Sequence, residues 1–402
     1  MKYLVILTDG AADYPIEELG GQTPLQYAKT PFIDELARRS IVGKAATIPE
    51  GFPPGSDVAN LSVLGYDPAI YYTGRSPLEA VSMGVELKDE DLALRCNLVT
   101  LSGEKDYAAK TMSDYSAGEI ETADARQLIA AIQSGLGDEI FVFHPGISYR
   151  HLLVWKGGFD KEVLLTPPHD ISGQKIAAFL PRGRNGDALL QLMRKSVEIL
   201  GDHSINKSLL TAGHEPATSI WFWGEGRKPS LPSFAEKYSL RGSVVCAVDL
   251  VRGLGISAGL TPITVEGATG GVKTNFKGKA EAALRELESG QDFVFVHIES
   301  PDESGHQGNL DNKLWSIEQI DSQVIGTIVA ALDRFEEIKI MILPDHPTPL
   351  AIKTHSSEPV PFMIYDSRRA FTEGSSMFDE VHAEKGPFID PGHTLMDYFI
   401  RL

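Results

Sequence analysis

Short runs of consecutive apolar residues alternate with amphipathic stretches near both ends of the chain. The apolar runs are KYLVILT at 2–8, DFVFVHIES at 292–300, IKIMILP at 338–344 and VPFMIY at 360–365. Helical patterns lie at 24–39, 57–64, 276–288 and 312–335. Pro31 predicts that the first of these is either one interrupted helix or two short ones. Strands without polar alternation are typical of parallel sheets. The pattern therefore predicts an α/β fold with a parallel sheet covered by helices on both faces.

The middle of the chain has a different pattern. Its strand candidates are less uniformly apolar: LALRCNLVT, EIFVFHP, RHLLVW and SIWFW. Two helices are predicted among them, at about 118–134 and 186–200, while TPPHD and RKPSLPS have the composition of turns. We interpret 76–239 as an inserted α+β domain that interrupts a core domain formed by 1–75 and 240–402.

Charge and composition narrow the class of partner. The 402 residues carry a formal net charge of −18, which argues against nucleic acid or an anionic membrane as a partner. A small acidic substrate stays possible, because a local basic pocket can override the global sign. The two cysteines form no disulfide framework, and the apolar run at the N-terminus is too short for a signal peptide. We expect a cytoplasmic protein, and the oligomeric state is left open.

Polar residues follow three of the predicted strands. Asp9 ends the first strand, ESPDESGH gives Asp302 and His306, and PDHPTP gives Asp345 and His346. In an open parallel sheet, residues beyond the carboxyl ends of the strands meet at one edge, where ligands bind. A single aspartate after a strand is more often a turn former or a helix cap. The combination at successive strand ends is what favours a functional site.

The stretch FPPGSDVANLSVLGYDP places Ser56 before a helical pattern. The simple explanation is a helix cap, since serine and aspartate are good N-caps. The chemical explanation is a nucleophile at a helix N-terminus that favours phosphate. With His355 added, three aspartates, three histidines and Ser56 are too many donors for one tetrahedral ion, but they suit two neighbouring Mn²⁺, Zn²⁺ or Mg²⁺ ions. Such a pair can activate a hydroxyl and hold a phosphoryl group in line.

These residues also carry a family resemblance. The stretches GSDVANLSVLGYDP, TDG, PDESGH and PDHPTP, followed by His355, resemble the cofactor-independent phosphoglycerate mutases, and in particular their shorter archaeal-type branch in the alkaline phosphatase superfamily. The resemblance implies an alkaline-phosphatase-like core with an inserted substrate-binding domain. It implies interconversion of 3-phosphoglycerate and 2-phosphoglycerate through a phosphoserine at Ser56, without bisphosphoglycerate.

The resemblance also implies how the metal ligands divide. Asp9, Ser56, Asp345 and His346 would hold one ion, and Asp302, His306 and His355 the other. Two divalent cations are therefore expected as cofactors, with Mn²⁺ first and Mg²⁺ or Zn²⁺ as alternatives.

Substrate-binding residues are expected mainly in the insert. Arginine forks suit a phosphate and a carboxylate, which makes Arg150 with its neighbour His151 the first candidates and Arg227 the next. Lys273, in a glycine-rich turn, is a further candidate for a phosphoryl oxygen. A solvated surface cation is the usual state of each of these basic residues.

Three more residues are candidates for contact with the reacting groups. His169 and Asp170 in TPPHD form a possible acid/base pair for the exchanging hydroxyls, although a loop cap is nearly as good an explanation. Asn60 is expected one helical turn from Ser56, on the same face, where it would contact the phosphoryl group.

Other functions share this machinery. A homoserine kinase-like phosphotransferase would use the same two-metal site with a different insert pocket. A phosphomonoesterase would result if water replaced the returning hydroxyl. A non-catalytic metal-binding protein is the alternative from another class, and the presence of all seven candidate ligand residues argues against it.

Overall fold

The computed structural model describes residues 1–158, 160–369 and 374–402. They divide into two compact units: a core unit of Met1–Tyr72 with Ser230–Leu402, and an insert unit of Thr73–Pro229. The change of pattern along the sequence predicts these boundaries after residues 75 and 239.

Thirteen strands lie in the described part of the chain. They are β1 Lys2–Thr8, β2 Ser40–Ala45, β3 Leu92–Leu101, β4 Met112–Asp114, β5 Phe141–Ile147, β6 Arg150–Trp155, β7 Ser219–Arg227, β8 Gly242–Val245, β9 Thr261–Ile263, β10 Phe293–Ile298, β11 Ile338–Leu343, β12 Val360–Asp366 and β13 Phe388–Ile389.

The α-helices in the same residues are mostly short. They are α1 Pro24–Tyr27, α2 Pro31–Ala37, α3 Ser56–Val63, α4 Pro68–Tyr71, α5 Ser76–Ser82, α6 Thr122–Leu136, α7 Gly186–Asp202, α8 Ser204–Thr211, α9 Phe234–Tyr238, α10 Asp249–Ser257, α11 Phe276–Glu288, α12 Ser300–Gln307, α13 Leu310–Gln319, α14 Gly326–Val329, α15 Glu380–Ala383 and α16 Leu395–Arg401. None of them is long and apolar enough to cross a membrane.

The core unit contains an eight-stranded sheet with the order β13-β2-β12-β11-β1-β10-β8-β9. The neighbours from β11 through β1, β10 and β8 to β9 are parallel. β1, β10 and β11 are almost wholly buried, as their apolar runs predict. One face is covered by α11, and the other packs against aromatic residues of α9 and α16. The α/β fold with helices on both faces is therefore confirmed.

One strand departs from the expected direction. β12 pairs antiparallel with both β11 and β2, so the sheet is mixed rather than wholly parallel. No helix lies between Leu343 and Val360, whereas a parallel return needs a long crossover, usually a helix. The chain therefore comes back in the opposite direction.

Two predicted helices are divided in the structure. The pattern at 24–39 forms α1 and α2, because Pro31 has no N–H to continue the first helix. The pattern at 312–335 includes a π-helical segment, Ile320–Ile325, between α13 and α14. Within it, the buried carboxylate of Asp321 accepts a 2.7 Å hydrogen bond from the Ile33 backbone N–H at the start of α2. This contact ties the irregular turn to a neighbouring helix.

The insert unit has its own five-stranded antiparallel sheet. β4, β3, β6 and β5 follow in order, and β7 pairs with β3. Leu94, Cys96 and Leu98 alternate along β3 and join a core with α6 and α7, while Ala93 on the opposite face packs with α5. Cys96 is free and buried, as is Cys246 of the core unit.

Candidate active site

Three central strands of the core unit bring the acidic candidates together. β1 lies between β10 and β11, with Leu7 opposite both His297 and Leu343. Asp9 follows β1 directly, Asp302 lies in the first turn of α12 after β10, and Asp345 follows β11. The carboxyl ends of these parallel strands therefore form one site edge, as the sequence predicts.

Ser56 is the first residue of α3 and does not cap it. Gly55 occupies the N-cap position, and no side chain makes a capping hydrogen bond there. The Ser56 hydroxyl oxygen lies 3.1 Å from Nε2 of His346. The hydroxyl is thus directed at the cluster, which favours the chemical explanation of this serine over a helix cap.

One half of the cluster surrounds His346. Its Nε2 lies 3.7 Å from Asp9 Oδ1 and 3.4 Å from Asp345 Oδ2. All three side chains are at most 1% exposed. Their donor atoms lie within 4.8 Å of one another, close enough for one metal ion.

The other half is built around Asp302. Its two carboxylate oxygens lie 3.3 Å from His306 Nε2 and 3.5 Å from His355 Nε2. The two histidine Nε2 atoms face each other at 3.0 Å, and the His355 ring lies 4.1 Å from that of His346. The structure therefore brings all six aspartate and histidine candidates to the same place as Ser56.

These residues fit divalent cations. Asp9 Oδ1 is buried and accepts no hydrogen bond from the residues that the structure describes. A buried acceptor of this kind suits a cation. Carboxylate and imidazole donors suit Mn²⁺, Zn²⁺ or Mg²⁺. Glu299, which the sequence analysis missed, forms a third possible ligand group with Asp9 and Asp302. Its position at the end of the run DFVFVHIES is the signal that would have found it.

The electrostatics of the cluster follow from burial and close charges. Burial, followed by the charges of Asp345 and Asp302, raises the pKa of Asp9 well above its usual value. Burial also acts to raise the pKa of Asp302, but hydrogen bonds from His306 and His355 hold it well below its usual value. The site thus concentrates negative charge that a cation would stabilise.

Two buried residues that the sequence does not predict, His297 and Lys279, hold Asp9 in position. His297 Nε2 lies 2.8 Å from Asp9 Oδ2, and burial lowers the pKa of this histidine to about 3, so the ring is neutral. Its Nδ1 has no hydrogen-bond partner in the described part of the chain, which assigns the ring proton to Nε2 and makes Nε2 the donor to Asp9. Lys279 Nζ donates to the His297 carbonyl oxygen at 3.0 Å. His297 thus orients the Asp9 carboxylate through Oδ2 and leaves Oδ1 free of this contact.

The loops around the site are held closely together. Thr348 Oγ1 donates to Asp302 Oδ1. Gly10 has a φ of 63°, and a Cβ atom on it would lie 2.6 Å from the Asp302 Cα atom. A side chain at Gly10 would therefore strain the backbone and also push the Asp302 segment away.

Asn60 and Lys273, the two substrate-binding candidates of the core unit, do not lie where the sequence predicts a free donor for a phosphoryl group. The Asn60 side-chain amide donates to the Ser56 carbonyl oxygen at 2.9 Å and to Asp345 Oδ2 at 2.8 Å. Both its amide hydrogens are thus used within the site, so Asn60 orients the Asp345 carboxylate instead of presenting a free donor to a phosphoryl group. Lys273 is exposed, and the hydrogen bonds and ion pairs of the described residues do not join it to Ser56.

In the insert unit, Arg150 and His151 are separated by the geometry of the strand. Neighbouring residues of β6 face opposite sides of the sheet. Arg150 is exposed, with its guanidinium carbon 5.3 Å from the Tyr149 ring centroid. His151 is 2% exposed, its Nδ1 accepts from the Gly146 N–H, and burial lowers its pKa to about 3. The structure therefore does not bring His151 to the Arg150 side.

The remaining insert candidates lie near the surface. His169 and Asp170 form a 3.7 Å pair with side chains 46% and 60% exposed, and the His169 ring lies 5.1 Å from that of Trp223. Arg227 ends β7 and is exposed. Its backbone N–H donates to the Thr73 carbonyl oxygen, and its carbonyl oxygen accepts from the Thr73 hydroxyl.

Taken together, the core unit holds a serine hydroxyl beside carboxylates and imidazoles at the carboxyl edge of an α/β sheet. That combination defines a class, the enzymes that transfer phosphoryl groups to a hydroxyl with the help of divalent cations.

Comparisons with known proteins narrow the class to a family. The family model described as 2,3-bisphosphoglycerate-independent phosphoglycerate mutase matches residues 37–206. A probable enzyme of that name from Geobacter sulfurreducens is 50% identical over 401 residues, covering 100% of both chains. One from Methanosarcina barkeri is 49% identical over 387 residues, covering 96% of each.

Solved structures agree with the sequence matches. A Pyrococcus horikoshii protein matches with a TM-score of 0.81 and 30% identity, covering 100% of this chain and 96% of its own. The cofactor-independent phosphoglycerate mutase of Thermoplasma acidophilum matches with a TM-score of 0.64 and 27% identity, covering 100% of this chain and 99% of its own. The chain belongs to the 2,3-bisphosphoglycerate-independent phosphoglycerate mutase family, whose members are isomerases.

Proposed function

We propose that this protein interconverts 3-phosphoglycerate and 2-phosphoglycerate, with Ser56 carrying the phosphoryl group between the two hydroxyls. The observation that carries the proposal is the 3.1 Å approach of the Ser56 hydroxyl to His346, inside a cluster of three aspartates and three histidines. Family membership supports the choice of substrate.

The proposed ligands divide as the sequence resemblance implies. Asp9, Asp345, His346 and Ser56 hold one cation, and Asp302, His306 and His355 hold the other. The cations, when bound, lower the pKa of the serine hydroxyl and neutralise charge on the phosphoryl oxygens. Mn²⁺ is the first choice because the site mixes imidazole with carboxylate, and Mg²⁺ and Zn²⁺ are the alternatives to test.

The chain's own residues perform the transfer in two balanced steps. The Ser56 oxygen forms a bond to phosphorus as the bond from phosphorus to the substrate oxygen breaks, and the serine proton passes to the freed substrate oxygen. The glycerate then turns, and its other hydroxyl attacks the phosphoserine, so that the serine oxygen leaves and recovers a proton. Ser56 at the first turn of α3 is suited to this role, because the backbone N–H groups there favour an anion.

Acid/base and substrate contacts belong to the insert in this proposal. His169 and Asp170 are the candidates for moving protons to and from the exchanging hydroxyls, supported by their exposure and mutual distance. Arg150 and Arg227 are candidates for binding the acid groups of the substrate, supported by their exposure. Lys273 is a weaker candidate.

We also propose a role in glycolysis and gluconeogenesis in the cytoplasm. The support is the substrate pair itself, together with two buried free cysteines, which suit a reducing compartment.

The test is an enolase-coupled assay on Mn²⁺-loaded protein with 3-phosphoglycerate and no bisphosphoglycerate. Ser56→Ala is expected to abolish turnover while the protein still folds. Ser62→Ala is the matched control, because Ser62 lies on the same helix and is 0% exposed, and its hydroxyl has no hydrogen-bond partner among the described residues. Its activity is expected to stay near that of the unmodified protein.

Two outcomes would contradict the proposal. Activity retained by Ser56→Ala would exclude the phosphoserine route. No turnover by unmodified protein with confirmed metal content would exclude the mutase reaction. Homoserine with ATP, and a simple phosphomonoester, are the next substrates in that case.

A further inference from the structure

A buried hydroxyl group connects the two halves of the cluster in the core unit. Thr348 lies two residues after His346 and is 0% exposed. Its Oγ1 is hydrogen-bonded to Asp302 Oδ1 and lies 3.3 Å from His346 Nδ1. In the proposed division of ligands, His346 belongs to one cation and Asp302 to the other. The hydroxyl of one threonine therefore contacts a ligand of each proposed ion.

The two halves are close enough for this contact to affect both. One ligand atom from each of Asp302, His346 and His355 lies within 4.8 Å of the other two. The ring centroids of His346 and His355 are 4.1 Å apart. A displacement of His346 or Asp302 would thus change the spacing of donors on both sides of the cluster.

The chemistry of the hydroxyl fixes the direction of both hydrogen bonds. A hydroxyl has one hydrogen to donate, and an ionised carboxylate only accepts. Thr348 therefore donates to Asp302 and accepts from Nδ1 of His346. A histidine that binds a cation is neutral and carries one ring proton, which this contact places on Nδ1. Nε2 of His346, the atom that faces Asp9 and Asp345, is left with its lone pair for a cation.

Thr348 itself is held from several directions. Its backbone N–H donates to the Ala12 carbonyl oxygen at 3.2 Å, and its own carbonyl oxygen accepts from Lys313 Nζ at 2.8 Å. A Cβ atom on Gly10 would lie 2.6 Å from Thr348 Oγ1, and one on Gly305 would lie 2.5 Å from the Thr348 carbonyl oxygen. The packing therefore holds the hydroxyl in place independently of any cation.

We propose that Thr348 is a positioning residue that couples the two cation sites, an inference that rests on the ligand division of the proposed function. When Nε2 of His346 is held by a cation, its Nδ1 is held as well, and through Thr348 so is Oδ1 of Asp302. Filling one site thus orders a ligand of the other in advance and reduces the entropy cost of filling it. The two ions should therefore bind cooperatively, and the coupling should be reciprocal.

The experiment measures how Mn²⁺ is distributed between singly and doubly loaded protein. Purified protein is stripped with a chelator and titrated with Mn²⁺ in the absence of substrate, by isothermal titration and by electron paramagnetic resonance. Two neighbouring Mn²⁺ ions give a spin-coupled signal that differs from the signal of an isolated ion. When Mn²⁺ is supplied for half of the sites, the unmodified protein is expected to show mainly the coupled signal.

Three variants separate the hydroxyl from the general effect of a substitution. Thr348→Val is expected to weaken Mn²⁺ binding at both sites by about 10–100-fold and to give mainly isolated-ion signals at half loading. Thr348→Ser restores the hydroxyl and is expected to recover most of the affinity and the coupled signal. Thr47→Val is the matched control, because the buried Thr47 hydroxyl donates to the backbone carbonyl of Asp345 and not to a ligand side chain. It is expected to leave the coupled signal unchanged.

A second measurement needs no substitution at Thr348 and so does not depend on the folding of that variant. Nitrogen-15 NMR of metal-free protein with labelled histidine reports which ring nitrogen carries the proton, at a pH where the ring is neutral. His346 is expected to be protonated at Nδ1 and not at Nε2, and its signals are assigned by their loss in His346→Gln. A proton on Nε2 would overturn the inference.

Three results with Thr348→Val would also overturn it. Unchanged Mn²⁺ binding would mean that the hydroxyl is only structural. Weaker binding at one site alone would mean that it orients one ligand and couples nothing. Weaker binding with the coupled signal preserved at half loading would mean that other contacts carry the coupling.

Failure of the proposed function is a separate result. Protein that binds Mn²⁺ with the expected dependence on Thr348 but does not convert 3-phosphoglycerate refutes the mutase activity alone. Protein that converts 3-phosphoglycerate, and whose Thr348→Val variant binds Mn²⁺ as the unmodified protein does, refutes this inference alone. Fewer than two ions bound by the unmodified protein would refute the proposed ligand division and this inference with it.

Discussion

The buried ammonium group of Lys313 provides a direct test of how the loops of the active site are held. Lys313 lies on α13 with its side chain 0% exposed. Its Nζ donates to Asp13 Oδ2 at 2.7 Å, to the Thr348 carbonyl oxygen at 2.8 Å and to the Ala12 carbonyl oxygen at 3.3 Å. These acceptors belong to the two segments that also carry Asp9 and His346. Replacing Lys313 by Met removes all three contacts at once.

The expected cost follows from what the substitution leaves behind. The Asp13 side chain is 1% exposed and would keep only the Tyr14 and Leu350 backbone donors among its described hydrogen bonds. Removing one partner of a buried ion pair costs about 3–5 kcal/mol, because the other charge stays buried. Total stability is about 5–15 kcal/mol for typical domains, so Lys313→Met should lower the urea midpoint of the core unit substantially.

A double-mutant cycle separates the pair from the general effect of a core substitution. Asp13→Asn added to Lys313→Met should recover about 1–3 kcal/mol, because the unpaired charge is then gone. Urea unfolding followed by circular dichroism and tryptophan fluorescence measures the change, with Trp315 on the same helix as a local reporter. Lys277→Met is the control, because its 3.7 Å pair with Glu281 is 63% and 45% exposed and should contribute less than about 0.5 kcal/mol.

A loss of less than about 1 kcal/mol of unfolding free energy in Lys313→Met would contradict this prediction. So would a double variant whose loss equals the sum of the two single losses. Either result would mean that water or a neighbouring donor satisfies Asp13, and that the ammonium group does not hold the two segments.

Two further predictions concern the metal ligands and pH. His297→Phe should weaken Mn²⁺ binding by about 10–100-fold, because Asp9 loses its fixed orientation, and unchanged affinity in isothermal titration would contradict this. Burial raises the pKa of Glu380 to about 7 from 4.5, so the folded state binds its proton more tightly than the unfolded state does. Stability should therefore fall by up to about 3 kcal/mol as the pH rises from about 4.5 to 7, and Glu380→Gln should flatten the profile. If stability still fell with pH in Glu380→Gln as it does in the unmodified protein, other groups would cause the pH dependence.

Local patterns predict the elements whose structure depends on local sequence. The run 2–8 and the helical pattern 276–288 coincide with β1 and α11, because continuous apolar residues and 3.6-residue periodicity directly indicate a buried strand and an amphipathic helix. The prediction of a parallel β12 was wrong. The direction of this strand depends on its long-range pairing with β11 and β2, which periodicity does not encode.

The same distinction applies to the site. Asp9, Asp302 and Asp345 were predicted because a polar residue at the end of an apolar run is visible in the sequence. His297 was missed because it lies inside such a run. Lys313 was missed because a lysine on an amphipathic helix is normally solvated, and only the partner loops show that it is buried.

The position of β1 at the centre of the core sheet has a consequence for synthesis of the chain. Its two neighbours, β10 and β11, begin at Phe293 and Ile338, whereas Thr73–Pro229 forms a continuous unit with its own hydrophobic core. At about 5–20 residues per second, the ribosome needs roughly 15–60 s between the strand that leads to Asp9 and the strands that pair with it. During this interval both edges of β1 lack their partners, and such edges invite pairing with other chains. The contiguous insert can fold before the core sheet is complete. Chaperones should therefore bind mainly the first 72 residues during synthesis. The proposed metal site can form only after nearly the whole chain has been released.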